Sequence, residues 1–208
     1  MSNLHILKHP LIGHKITMLR NKDTAYKDFK DIVTEISTII CYEATKEAPT
    51  KEISIETPIQ QTTGTELRDK FAIIPILRAG LGMVEGVMRL LPTARVGHIG
   101  LYRDPQTLDP VEYYVKLPAD IHDMQVFLCD PMVATGNSAS EAIRILKDHG
   151  AKDIKLLCLV SCPEGVAKIT ADHPDITIYT AAHDPGLNDK SYIVPGLGDA
   201  GDRLYGTL

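Results

Sequence analysis

The chain lacks most features that would mark a membrane, secreted or metal-built protein. In its 208 residues no apolar run approaches the roughly 20 residues that span a bilayer. The opening segment, Met1 to Pro10, has neither the basic start nor the long apolar stretch of a secretory signal. A cytoplasmic location is therefore expected. Positive charge is not in excess: 22 Lys and Arg stand against 27 Asp and Glu, a net −5. That disfavours a general nucleic-acid binder, which needs a basic surface to neutralise phosphates. A small phosphorylated ligand in a local positive pocket is still compatible. The four cysteines, Cys41, Cys129, Cys158 and Cys162, form no CxxC, and Cys129 and Cys158 lie in apolar runs. They read as buried free thiols rather than a zinc site. The eight histidines include no HExxH pair, and there are no repeats or low-complexity tracts. What is present is ordinary for one globular domain with its own core: 44% apolar and 24% charged residues.

The apolar rhythm changes along the chain. Leu11, Ile12, Ile16 and Leu19 share one side of a short helix. Tyr26, Phe29, Ile32, Val33, Ile36, Ile39 and Ile40 recur at three and four residues, predicting a long helix over Thr24–Ala48 that Pro49 ends. Ile53, Ile55 and Thr57 then alternate with polar residues as a strand. Phe71–Leu77 is a continuous apolar run, as in a strand buried on both faces. Arg78-Ala-Gly80 breaks it, and Met83 to Leu91 gives a helix stopped by Pro92. Two alternating runs within Gly97–Leu117, around the polar turn Arg103–Pro110, predict a long hairpin flap. Gln125–Cys129, a helix over Ser138–His149 ended by Gly150, Ile154–Val160, Glu164–Ala171 and Ile176–Ala181 complete the alternation. The prediction is an α/β fold: a single domain, 1–208, with a parallel sheet flanked by helices. Helices and an arm occupy 1–60, the core sheet about 70–185, and a glycine-rich terminal segment 188–208. That last segment shows no helix period, although Tyr192-Ile-Val194 is strand-like.

The densest chemical signal is Asp130-Pro-Met-Val-Ala-Thr-Gly-Asn-Ser138, between a buried strand and a helix. Open α/β sheets bind ligands at such strand ends. Free N–H groups and the dipole at a helix start favour an anion, Thr135 and Ser138 add hydroxyl donors, and Gly136 permits close approach. Asp130 cannot hold a phosphate, so it suits sugar hydroxyls or a hydrated cation. Together these describe a sugar-phosphate pocket. The competing reading is structural: Ser138-Ala-Ser-Glu141 has the pattern of a capping box, which would stabilise any helix start. The loop lacks GxxxxGK(S/T), which disfavours nucleoside triphosphate hydrolysis.

A strand ending in Asp, followed by x-x-x-A-T-G-x-S, resembles the phosphoribosyl-diphosphate (PRPP) loop of type I phosphoribosyltransferases. Three further segments are similar to the uracil phosphoribosyltransferase family. They are His9-Pro-Leu-Ile with Leu19-Arg-Asn-Lys-Asp-Thr24; Ile76-Leu-Arg-Ala-Gly-Leu-Gly-Met83; and Tyr192-Ile-Val-Pro-Gly-Leu-Gly-Asp-Ala-Gly-Asp-Arg-Leu-Tyr-Gly206. The last resembles that family's base-binding hood. Two departures stand out. Pro131 occupies the place of a second acid found in most type I enzymes, as it does in the uracil enzymes. Asn137 stands where glycine is usual, and it tolerates a left-handed backbone better than most residues.

The resemblance implies transfer of phosphoribosyl from PRPP to uracil, giving UMP and diphosphate, with magnesium. Bond breaking leaves positive charge on the ribose and negative charge on the diphosphate, so cations belong at the leaving group. Arg78 and Arg103 suit it, because a guanidinium fork matches phosphate oxygens. With Asp130 they are the candidate catalytic residues. Pro131, Met132, Val133, Ala134, Thr135, Gly136, Asn137 and Ser138 would cradle PRPP, joined by Asp199. Ile193, Gly198, Asp199 and Ala200 are the uracil candidates. No protein cage for the metal is expected; magnesium would arrive on the diphosphate, with Asp199 reaching it through water. Arg68, Arg144, His98 and His183 read as surface or hydrogen-bonded residues, Met83 and Met88 as core, and Arg203 as a brace. The resemblance further implies a homodimer or higher oligomer, with Ile53–Thr57 as an exchange arm, and GTP as an effector in some relatives. Nucleic acid and membrane partners are not expected. The rivals are a relative using another base, a bifunctional pyrimidine regulator that binds RNA, and a PRPP-sensing module without turnover.

Overall fold

Local chemistry sets the first helix. His9 is extended and its Nδ1 accepts the Leu11 N–H at 3.1 Å, while Pro10 takes the first helical position, where no N–H is needed. The computed structural model describes residues 3–103 and 110–207, without the side chain of Arg103. In chain order β1 (Leu4–Ile6) and α1 (Pro10–Arg20) lead into α2 (Tyr26–Ala44). An exposed hairpin follows, β2 (Thr50–Glu56) and β3 (Gln61–Leu67). Next come β4 (Lys70–Leu77), α3 (Leu81–Leu90), β5 (Arg95–Val96), β6 (His98–Arg103) and β7 (Pro110–Lys116). Then follow β8 (Met124–Cys129), β9 (Met132–Val133), α4 (Asn137–Asp148), β10 (Asp153–Ser161), α5 (Pro163–Asp172) and β11 (Thr177–His183). The chain closes with β12 (Gly186–Leu187), β13 (Ile193–Val194) and α6 (Ala200–Tyr205).

The main sheet runs β1-β11-β10-β8-β4-β6-β7, with β5 beside β4 and β9 beside β10. All its pairs are parallel except β6 with β7. Successive residues of the buried strands serve opposite faces. Ile73, Phe127, Leu157 and Leu159 pack with α1, α2, α3 and α6, whereas Ile74, Leu128, Leu156 and Cys158 pack with α4 and α5. Each fully buried side chain of this size contributes about 1.5–3 kcal/mol. Both faces are therefore covered, as the continuous apolar strands require.

Several boundaries differ from the sequence reading. The long helix stops at Ala44 rather than Ala48. Thr45 is its cap, its Oγ1 donating to the Cys41 carbonyl at 2.9 Å. Strand β3, Gln-Thr-Thr-Gly-Thr-Glu-Leu, has no apolar alternation because both of its faces are largely solvated. Its pairing with β2, Thr50 opposite Leu67, makes the arm a hairpin. The edge strand β1 and short β9 carry too few residues to show a period. The tip of the flap, 104–109, and the Arg103 side chain lie outside the described residues. No helix among the described residues is long and apolar enough to cross a membrane.

Candidate active site

The strand order reverses at one place. From β4 the chain moves outward to β6 on one side; it then returns as β8 on the other side and continues outward to β10 and β11. Such a switch leaves a crevice beyond the carboxyl ends of the two strands. Arg78 follows β4 and Asp130 follows β8, so the topology brings together residues 52 apart in sequence (130 − 78). The Leu77–Arg78 peptide is cis. Arg78 is exposed and its Nη2 lies 3.3 Å from Asp202 Oδ1 on α6.

Two adjoining cavities occupy the crevice. One, of about 170 Å³, is lined by Leu77, Arg78, Asp130 and the loop Met132–Gly136 with Ser138. The other, of about 450 Å³, is lined by Asp130, Ser191, Tyr192, Ile193, Gly198, Asp199, Ala200 and Gly201. They share Ala79, Asp130, Met132 and Ala134. Pro131 and Asn137 line neither. Pro131 is buried, and its carbonyl accepts the N–H groups of Leu159 and Val160 at 3.1 Å, tying the loop to β10.

The loop differs from the sequence reading in two details. The residue before the helix is Gly136, left-handed at φ 82°, and Asn137 is already helical, so Asn137 does not bear the left-handed backbone. Ser138 lies inside the helix rather than at its cap, and Thr135 Oγ1 accepts the Asn137 N–H at a long 3.5 Å. The capping-box pattern is therefore not used. The first intrahelical bond is Ser140 N–H to the Gly136 carbonyl at 2.8 Å, which leaves the N–H groups of residues 137–139 outside the helical ladder. A Cβ on Gly136 would sit 2.7 Å from the Gly165 carbonyl, in a φ range that L-residues avoid. Gly136→Ala is expected to cost about 1–2 kcal/mol of stability. It should also weaken the thermal shift produced by PRPP, which a melt with and without ligand would read.

The terminal segment is a shaped hood rather than a loose tail. Strands β12 and β13 pair antiparallel. The six residues of α6, missed in the sequence because so short a helix shows no period, are capped by Asp199, whose Oδ1 accepts the Asp202 N–H at 3.0 Å. Arg203 donates to the carbonyls of Leu19, Leu197 and Asn21 at 2.5, 2.8 and 2.7 Å and lies 4.3 Å over the Phe29 ring. These contacts brace the segment. Sequence reasoning missed Arg20 and Asp184. They form a two-bond ion pair at 2.7 and 2.6 Å, and both also hold Gly196. The segment Leu19–Thr24 carried the only signal for this, and nothing local assigns it a task.

Burial alone would raise the Asp184 carboxyl, but bonds from Arg20 and the Gly196 N–H, with the charges of Arg20 and His183, hold it below the usual range. A carboxyl lowered by folding stabilises the native state fully above its unfolded value of about 3.9, and that contribution is lost as pH falls through the folded value. Asp184→Asn should therefore cost about 2 kcal/mol at neutral pH. The gap from the parent protein should close as urea melts are repeated below about pH 4.

The remaining candidates stay structural. Burial pushes the Cys41 and Cys158 thiols up to about 12 and raises Cys129 and Cys162 as well, so all four are neutral. His183 Nδ1 pairs with Ser161 Oγ at 2.9 Å, and Met83 is fully buried. Arg68 pairs with Asp69, and Arg144 with Glu141 and Asp148, away from the crevice. Among the described residues no three His, Cys, Asp or Glu gather to cage a metal.

The uracil phosphoribosyltransferase family model matches residues 6–207. A uracil phosphoribosyltransferase of Alkaliphilus oremlandii is 57% identical over 208 residues, covering all of both chains. One from Bacillus cereus is 56% identical over the same span. Among solved structures, an Aquifex aeolicus protein superposes with a TM-score of 0.92 at 36% identity, covering 97% of each chain. A hypoxanthine phosphoribosyltransferase from Trypanosoma cruzi gives 0.53 at 10% identity over 76% of each, a likeness of fold alone. The sheet is thus the type I phosphoribosyltransferase sheet, and the match extends through the α1–α2 joint and the hood. The chain belongs to the uracil phosphoribosyltransferase family.

Proposed function

We propose that the chain transfers the phosphoribosyl group of PRPP to uracil, forming UMP and releasing diphosphate. The observation that carries this reading is the pair of adjoining cavities that share Asp130. One has a loop and helix start suited to a phosphate. The other is walled by the glycine-rich hood, where a flat base fits. A sugar spanning them places its hydroxyls at Asp130.

The reaction breaks the anomeric C–O bond to diphosphate, forms a C–N bond to uracil N1 and releases the N1 proton to the departing diphosphate or to water. The loop Val133–Ser138 binds the 5′-phosphate through backbone N–H groups and the Thr135 and Ser138 hydroxyls. Asp130 accepts hydrogen bonds from the ribose hydroxyls and fixes the ring for in-line attack. Arg78, exposed at the crevice, turns to the departing diphosphate, and Arg103 on the flap is assigned the same charge-neutralising task. Ile193, Gly198, Asp199 and Ala200 face the base. The donor set suits magnesium. Asp130 and Asp199 are hard oxygen donors on one cavity wall, and such an ion needs few protein ligands because it keeps waters and binds phosphate oxygens. When bound, it neutralises diphosphate charge. The exposed β2–β3 arm supports self-association as part of the same reading.

The test is a base panel: uracil, cytosine, xanthine and adenine, each with PRPP and magnesium, following nucleotide and diphosphate release. UMP formation from uracil is the expected result. Turnover only with another base would reassign the substrate, and PRPP binding without diphosphate release would indicate a sensing module.

A further inference from the structure

The wall of the base cavity is a loop with little support of its own. Between Val194, where the β12–β13 ladder ends, and Asp199, where α6 is capped, both Gly196 and Gly198 have positive φ, 57° and 81°. Side chains from elsewhere hold this stretch. Arg20, at the end of α1, reaches both oxygens of Asp184 and also donates to the Gly196 carbonyl at 2.9 Å. Asp184 Oδ2 in turn accepts the Gly196 N–H at 2.9 Å. One ion pair thus fixes both polar groups of a single loop residue. A Cβ on Gly196 would clash with the Ile193 carbonyl, so the loop folds back tightly over β13. Arg203 holds the next residue through the Leu197 carbonyl, and with its other bonds ties that carbonyl to the α1–α2 joint. None of Arg20, Asp184 and Arg203 lines either cavity.

We infer that Arg20 and Asp184 are positioning residues that set the spacing of the base-reading backbone, with Arg203 as a second anchor. Base affinity and base choice are then controlled from the end of the first helix, by side chains that never touch the base. This inference rests on the proposed reaction. Its physical basis is that a pocket built from peptide groups selects by their spacing, and a displacement near 1 Å can cost about 10²-fold. Arginine suits the task because its planar fork grips a carboxylate with two bonds and has donors left for a carbonyl. Lysine keeps the charge but has no fork. The phosphate cavity, formed by β4, the Asp130 loop and α4, receives none of these bonds.

The decisive comparison uses steady-state kinetics of the full-length enzyme, with Arg20→Lys beside the parent. The expected result is a folded variant whose KM for uracil rises about 10-fold or more. Its KM for PRPP should move less than about 3-fold, and its preference for uracil over cytosine should narrow. A role in stability alone lowers the melting temperature without splitting the two substrates. An unchanged uracil KM and unchanged base ratio in folded Arg20→Lys would overturn the inference, as would equal losses for uracil and PRPP. If Arg20→Lys does not fold, Arg203→Lys decides by the same split, in the same direction and to a smaller extent. A parent protein that makes no UMP overturns the proposed reaction and this inference with it, whereas an active parent beside an unaffected variant overturns the clamp alone.

Discussion

Replacing Asp130 by Asn should lower kcat/KM by about 10³-fold while the protein stays folded. The carboxylate stands at the end of β8, half-buried, on the wall common to both cavities. Its Oδ1 accepts the Met132 N–H at a long 3.4 Å. Asparagine has the same shape as aspartate, so the substitution changes charge rather than volume. What is lost is charge. Two ribose hydroxyls donating to a carboxylate make charge-assisted bonds of about 1.5–3 kcal/mol each, and an amide offers one neutral acceptor and a competing donor. Losing about 4 kcal/mol of that in the transition state is a factor of about 10³. The measurement is kcat/KM for UMP formation, with circular dichroism and a thermal melt to establish folding. Near-normal kcat/KM in a folded variant would remove Asp130 from the site.

Uracil should be preferred over cytosine by about 10²–10³-fold in kcat/KM. Ile193, Gly198 and Ala200 carry no polar side-chain groups, and Asp199 spends one oxygen on the α6 cap. Reading must therefore fall largely to the backbone. Uracil presents acceptor, donor, acceptor along O2, N3–H and O4. A complementary edge needs two peptide N–H groups, assigned to the stretch Gly198–Ala200, and one carbonyl, assigned to Ile193. Cytosine reverses the last two positions, so a donor meets a donor and an acceptor an acceptor. Each unpaired buried group costs about 1–3 kcal/mol, which two mismatches convert into the stated ratio. Because side chains carry little of the reading, truncating polar neighbours such as Lys190 or Ser191 should barely relax it. Comparable kcat/KM for the two bases would sink both the backbone assignment and the proposed substrate.

The sequence determined whatever depends on near neighbours in the chain. Phe71–Leu77 and Gln125–Cys129 read as strands because both of their faces are apolar, and a strand apolar on both faces has to be covered on both faces. The period of Phe29 to Ile40 similarly marks a helix with one buried side. The loop after Asp130 was legible because phosphate binding at a helix start is a local property of a strand–loop–helix joint. Short elements such as β1, β9 and α6 were not legible, since a few residues cannot establish a period. Tertiary structure decided everything that joins distant segments. The strand order set Arg78 beside Asp130, two residues that no spacing rule connects. It made Gly136, rather than Asn137, the left-handed residue, because α5 packs the Gly165 carbonyl against that turn. It also brought Arg20 to Asp184 across 164 residues, for an ion pair forms through space once packing has excluded water, and the sequence records only its two separate ends.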